Sequence, residues 1–147
     1  IERTNIRYLD TDAIKDPIDF ISIDVSFISL NLVFPVASKL LIEGGQIVCL
    51  IKPQFEAGKS QVGKHGIVKD PSVHAEVLRK VMEYGEKHGL IAEALTWSPI
   101  KGAKGNIEYL LLLRKGTGTP REGIDEQKVV NMAFDFFSVK ENSAEIL

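Results

Sequence analysis

The sequence holds a single cysteine, Cys49, inside the apolar run IVCLI. A lone cysteine excludes an internal disulfide framework, makes a reducing cytoplasm the default compartment, and reads as a core residue. An excess of either charge is missing too. The formal net charge of -2 over 147 residues gives no global attraction for nucleic acid, so RNA or DNA contact would need a local basic patch or another module. No apolar run reaches the roughly 20 residues that cross a bilayer, because Asp24, Lys39 and Lys52 interrupt the longest candidates. His65, His74 and His88 are far apart in the sequence; they lack zinc-ligand spacing, so no metal is expected and the three read as surface residues. There is no internal repeat, no low-complexity segment and no signal-peptide pattern, and Ile1 stands where an initiator methionine would, so the chain reads as a piece of something longer. What remains is ordinary for one soluble globular domain: 44% hydrophobic and 26% charged residues.

The periodicities alternate along the chain. PIDFISID (17–24) reads as a strand, and ISLNLVFPVASKLLIEGG as a helix with Ile28, Leu32, Val36 and Leu40 on one face and a stop at Gly44-Gly45. QIVCLI (46–51) is a continuous apolar run of the kind found in a parallel strand covered on both faces. The polar, glycine- and lysine-rich PQFEAGKSQVGKHGIVK reads as a long loop. Asp70-Pro71-Ser72 then opens a helix, as a cap followed by proline in the first turn, with Val73, Val77, Leu78 and Val81 on its apolar face and His88-Gly89 at its close. LIAEALTW and IEYLLLLRK are strands separated by the basic turn PIKGAKGN, Asp125 caps a last helix carrying Val129, Val130, Ala133, Phe134 and Phe137, and the tail ENSAEIL is expected to fray.

This order predicts an open α/β sheet, mostly parallel, with helices on its faces. The last two strands are joined too tightly for a crossover and must be antiparallel neighbours. Three strands each carry one charge at an end: Asp24 after the first, Lys52 after the second, and Glu108 near the start of the last. An isolated charge beside an apolar run is costly. Open α/β sheets bind ligands outside the carboxyl ends of their parallel strands, and an antiparallel strand begins at that same edge. All three groups are therefore expected at one rim, with Phe27 and Phe55 beside them as candidates to line a pocket.

DVSFISL, LIKPQFEAG followed by GIVKDPSVH, and KGNIEYLLLL resemble the FtsJ-like catalytic domain of the TlyA or hemolysin-A family, S-adenosylmethionine-dependent ribosomal RNA 2′-O-methyltransferases. The opening ERTNIRYL is also similar to the family's segment after its third strand. The resemblance covers most of the chain. It implies a Rossmann-like methyltransferase sheet, incomplete at the N-terminus, with residues 1–147 a partial domain that lacks the family's glycine-rich cofactor loop and S4-type RNA-binding module.

The family's Lys-Asp-Lys-Glu tetrad maps onto Asp24, Lys52 and Glu108, and its first lysine has no counterpart here. The resemblance implies that Lys52 accepts or steers the hydroxyl proton. Asp24 would hold Lys52 and face the sulfonium of the cofactor, and Glu108 would complete the network. Two carboxylates favour a charged amine and oppose base catalysis, an effect the missing lysine would offset. Glu2 and Asn5 are candidates for the ribose or adenine of S-adenosylmethionine, the alternative being a solvated N-terminal loop. Lys59, Lys64, Lys69 and Lys104, with His65 and Lys101 nearby, are candidates for RNA phosphate contact, the alternative being a flexible basic loop. The implied partner is ribosomal RNA or a ribosomal subunit in the cytoplasm, with no membrane.

Other readings stand beside this one. Gly58–Lys64 has the spacing of a phosphate-binding P-loop up to His65, where serine or threonine should follow, and Gly66 and Pro71 break the helix that should start at once. The hemolysin name suggests membrane lysis, yet the sequence has no strongly amphipathic basic helix or alternating barrel strands. A non-catalytic, RNA- or ribosome-associated role is the remaining alternative.

Overall fold

A computed structural model describes the backbone of residues 1–144 and the side chains of residues 1–140. Four strands, β1 (Ile18–Ile23), β2 (Leu41–Ile51), β3 (Leu90–Trp97) and β4 (Tyr109–Lys115), form one sheet in the order β1-β2-β4-β3. β1 is parallel to β2, and β4 is antiparallel to both of its neighbours. β1, β2 and β3 therefore point one way, and β4 enters between β2 and β3 from the other. This is the mostly parallel sheet with an antiparallel final strand that the sequence predicts.

Side-chain alternation sets the core. Ile47, Cys49 and Ile51 of β2 and Tyr109, Leu111 and Leu113 of β4 are fully buried, whereas the alternate positions Val48, Leu50, Leu110 and Leu112 are only half-buried. One face is thus sealed more completely than the other. Each large aliphatic side chain buried there contributes about 1.5–3 kcal/mol. Helix α3 (Pro71–Glu86) covers the sealed face with Val73, Val77, Leu78 and Val81. Its start is the one read from the sequence: the Asp70 carboxylate accepts from the Ser72 N–H at 2.8 Å, and Pro71 occupies the first turn, where no N–H is needed. The chain leaves the helix through Gly89, whose φ of 69° favours glycine. The last helix, α4 (Glu126–Ala144), starts where Asp125 accepts from the Lys128 N–H at 2.9 Å and buries Val130, Ala133 and Phe137. The expected fraying of 141–147 meets a helix that continues to Ala144, and residues 145–147 lie outside the described residues.

Three expectations are corrected. The helix predicted to run from Ile28 to Gly44 is instead a short 3-10 turn, Leu30–Leu32, and then α1 (Phe34–Leu40); Leu41–Gly45 belongs to β2. The helix end is capped from outside: Lys115 Nζ on β4 donates to the carbonyls of Ser38, in the last turn of α1, and of Leu41, the first residue of β2, both at 2.7 Å. The loop after Lys52 contains a helical turn, α2 (Pro53–Glu56), and a 3-10 turn, Lys59–Gln61. His74, expected at the surface, is fully buried. Its Nε2–H donates to the Val68 carbonyl at 2.8 Å, which leaves Nδ1 to accept from the Tyr109 hydroxyl at 2.8 Å. Burial holds its pKa below the usual 6.5.

A candidate active site at the carboxyl rim of the sheet

The sheet register carries the three strand-end charges to one edge. Ile51 pairs with Tyr109, so Lys52 and Glu108 flank the last paired position of β2 and β4. Ile23 pairs with Cys49, and Asp24 follows it at the same rim. Lys52 and Asp24 meet directly, with Nζ 2.6 Å from Oδ1, and Lys52 also donates to Ser26 Oγ at 3.1 Å. The pair is asymmetric: the Lys52 side chain is 13% exposed and that of Asp24 is 73% exposed. The amine is therefore fixed against the protein while the acid keeps an open side toward solvent.

Glu108 is buried and is held separately. It accepts from Gln54 Nε2 at 3.2 Å, and Gln54 lies two residues beyond Lys52 on α2. No ion pair joins Glu108 to Lys52 among the described residues; Gln54 is the bridge between their two elements. The Gln54 carbonyl oxygen Oε1 is buried and has no donor among the described residues, an acceptor that a hydroxyl or a cationic ligand group would satisfy. Backbone packs tightly against Glu108, since a Cβ added at Gly102 would fall on its carboxylate.

Two turns form the mouth of this rim. The turn after Asp24 places Phe27 at φ 62°, a conformation rare for a non-glycine residue. Phe27 is 89% exposed, and its ring lies 4.8 Å from that of Phe55, tilted by 50°. The turn after Lys52 carries Glu56, whose carboxylate accepts from Ser29 Oγ at 2.7 Å and from the Leu30 N–H at 2.8 Å. Glu56 thus fastens the Asp24 turn to the Lys52 turn. Burial raises its pKa above 4.5, opposed by those two hydrogen bonds; burial, with the Glu56 charge nearby, also pushes the Cys49 thiol far up and leaves it inert. Sequence reasoning passed over Glu56, Gln54 and Ser26 because each looks like an ordinary polar loop residue until the two turns are brought together.

The remaining candidates divide. Asn5 spends its side-chain oxygen on the Arg7 N–H at 3.1 Å, capping a 3-10 turn, while the Glu2 carbonyl accepts from Thr4. Neither contacts Asp24, Lys52 or Glu108 among the described residues. Lys59 and Lys64 are exposed on the loop after α2, whereas Lys69 and Lys104 come together, with Lys101, around one cavity. No helix follows Lys64, and α3 starts only at Pro71, so Gly58–Lys64 lacks the helix N-terminus that a P-loop uses to hold phosphate. Among the described residues no helix is long and apolar enough to cross a membrane.

Residues 1–115 match the FtsJ-like methyltransferase family. Among named relatives, YqxC of Bacillus subtilis is 43% identical over 149 residues, covering 99% of this chain and 53% of that protein. The 16S/23S rRNA (cytidine-2′-O)-methyltransferase TlyA of Mycobacterium tuberculosis is 41% identical over 117 residues, covering 80% of this chain and 44% of that protein. The solved structure of a hemolysin candidate from Streptococcus thermophilus superposes with a TM-score of 0.89 at 41% identity, covering 95% of this chain and 51% of that one. The chain spans about half the length of the curated relatives it matches.

Proposed function

Because the chain belongs to the FtsJ-like methyltransferase family, we propose that the protein carrying it transfers a methyl group from S-adenosylmethionine to a ribose 2′-hydroxyl of ribosomal RNA in the cytoplasm. The observation that carries this reading is the Lys52–Asp24 contact of 2.6 Å, made at the rim that also holds the buried Glu108.

The residues present suit both ligands. Asp24 leaves an exposed carboxylate for a cation, and Gln54 offers a buried acceptor with no donor among the described residues. S-adenosylmethionine, when bound, supplies an electrophilic methyl carbon on a sulfonium. A ribose hydroxyl held at this rim would be the nucleophile toward that carbon, and its proton would pass to solvent along the Lys52 side of the site. Lys52, held as an ammonium by Asp24, would steer the hydroxyl and direct the departure of its proton. Asp24 anchors the amine and places negative charge beside the reacting centre. Glu108, fixed by Gln54 and by the Gly102 backbone, completes the wall against which the ribose is set. Positioning of this kind supplies a large part of such a rate, because aligned reactants avoid an entropic cost of several kcal/mol. Phe27 and Phe55 offer an exposed aromatic step to the base of the target nucleotide, and Glu2 and Asn5 stand for the adenosine end of the cofactor through the family resemblance.

The test is methylation of ribosomal RNA by the protein containing these residues, with the product mapped as 2′-O-methylribose. Lys52→Ala is expected to keep cofactor binding in calorimetry and to lose at least about a hundredfold in transfer. Transfer at the wild-type rate would remove Lys52 from the mechanism. Cofactor and RNA binding without any transfer would favour the non-catalytic role, and dye release from liposomes would favour the lytic one.

A further inference from the structure

Helix α2 joins the parts of the rim. Lys52, just before its first residue, reaches Asp24 and Ser26; Gln54 reaches Glu108; and Glu56 reaches Ser29 and Leu30. The Gln54 carboxamide has only one workable orientation, because turned over its oxygen would face the Glu108 carboxylate, acceptor against acceptor. Nε2 therefore donates to Glu108 Oε1 at 3.2 Å, and Gln54 Oε1 stays buried with no donor among the described residues. Packing does not account for such a side chain. Leucine or methionine would occupy the same space without burying an oxygen that lacks a donor. What the carboxamide alone supplies there is an N–H on Glu108.

The backbone around Glu108 is already fixed by other groups. Asn106, 1% exposed, accepts from the Val68 N–H at 3.1 Å and donates to the Gly66 carbonyl at 2.9 Å and the Ala103 carbonyl at 3.1 Å. The Glu108 carbonyl accepts from the Ser98 N–H at 2.8 Å. What these bonds leave free is rotation of the carboxylate about its own side-chain bonds. Gly102 limits that rotation on one side, by contact alone, and the Gln54 N–H is the one hydrogen bond made to the carboxylate among the described residues. Gln54 and Lys52 share one closed turn, in which the Phe55 N–H donates to the Lys52 carbonyl at 2.9 Å. The same bond therefore fixes the distance from amine to acid.

We propose that Gln54 is a positioning residue for methyl transfer: its N–H holds the Glu108 carboxylate at a fixed rotation and a fixed distance from Lys52, so that the ribose meets both groups at once. This deepens the RNA methyltransferase reading and rests on it. Gln54 acts through Glu108, so its loss should appear in kcat and leave KM close to the wild-type value. Misplacement of a group by about 1 Å is enough for a loss of about a hundredfold.

The experiment measures kcat and KM for methylation of a ribosomal RNA fragment by the protein carrying these residues, as wild type, Gln54→Leu, Gln54→Glu and the control Gln61→Leu. Gln61 is a carboxamide on the same loop, bonded to Gly58 and Glu76, and its variant should keep the wild-type rate. Gln54→Leu should lose about tenfold to a hundredfold in kcat at every pH, with KM within about twofold of wild type. Gln54→Glu should be the variant that acid rescues. A carboxyl set against Glu108 keeps one shared proton toward the acid side, and its O–H then replaces the lost N–H; as pH rises that proton leaves and two carboxylates repel. The other titratable groups on the elements around this pair, Asp24 after β1, Lys52 and Glu56 after β2, and Lys101 and Lys104 before β4, are unchanged in every variant. The ratio of its kcat to wild type should therefore fall about tenfold between about pH 6 and pH 9. A Gln54→Leu enzyme with wild-type kcat overturns the proposal, as does a Gln54→Glu ratio that does not change with pH, which is what a space-filling role gives. A raised KM at wild-type kcat would assign Gln54 to ligand binding and overturn it too. Should Gln54→Leu fail to fold by circular dichroism, Gln54→Asn, one methylene short of Glu108, takes its place with the same expected loss. The methyltransferase reading fails separately, through a wild-type protein that transfers no methyl group.

Discussion

Replacing Glu56 by alanine should unfasten the turn after Asp24 from the turn after Lys52. The carboxylate takes hydrogen bonds of 2.7 Å from Ser29 Oγ and 2.8 Å from the Leu30 N–H, and Leu30 is 1% exposed. Alanine therefore strands a buried donor, a loss of about 1–3 kcal/mol, with a smaller loss from the half-exposed serine. Removing a partly buried charge returns some of its desolvation cost, which leaves a net destabilisation of about 2 kcal/mol. Glutamine keeps an oxygen for the Leu30 N–H and can donate to the Ser29 hydroxyl, so its cost should stay under about 1 kcal/mol. The assay is urea unfolding at several pH values, with an unchanged m-value as the check on two-state behaviour. The sign of the pH dependence follows from burial. Glu56 titrates above 4.5 in the native state, so between its unfolded and native values the folded protein binds more protons than the unfolded chain. Stability from this group is full below about pH 4.5 and falls as pH rises through the raised value. Glutamine lacks that step, so the gap between wild type and Glu56→Gln should narrow as pH rises. An alanine variant within about 0.5 kcal/mol of wild type, the scatter of unremarkable surface changes, would refute the assigned link.

Other perturbations reach other parts of the molecule. Gly102→Ala puts a methyl on the Glu108 carboxylate; transfer should fall about a hundredfold through misplacement alone, and an unaltered rate would take Glu108 out of the site. His74→Leu leaves the Tyr109 hydroxyl and the Val68 carbonyl unpaired and should cost about 2–4 kcal/mol at pH 7 by thermal or urea unfolding. Wild type should also lose stability as pH falls below about 6.5, because the unfolded imidazole takes a proton that the buried one resists; a leucine variant with the same acid slope would clear His74 of that role. Lys115→Met uncaps α1 and should lower stability by about 1–2 kcal/mol while leaving methyl transfer intact, and a wild-type unfolding midpoint would show that water serves those carbonyls as well.

Elements with local signals were legible in the sequence. The Asp70-Pro71-Ser72 start of α3 and the LIAEALTW strand appear where local chemistry puts them, and the convergence of Asp24, Lys52 and Glu108 on one rim followed from strand polarity alone. What stayed hidden depends on partners distant in the chain. The end of α1 is capped by Lys115, 74 positions after Leu41. His74 becomes a core residue only because Tyr109 and Val68 supply both of its partners. Glu56 and Asn106 gain their roles from loops that meet only in the finished fold.

The position of β4 governs when the site can exist. It is the last of the described strands in sequence, yet it lies inside the sheet, between β2 and β3. During synthesis the earlier strands emerge first, and the opening between β2 and β3 closes only when residues 109–115 arrive. Such long-range insertion is a slow step in folding, and Glu108 travels on the segment that completes it. The Lys52–Asp24 pair lies on β1 and β2 alone, but the rim that also carries Glu108 is complete only once β4 is seated, which makes its assembly a readout of completed folding.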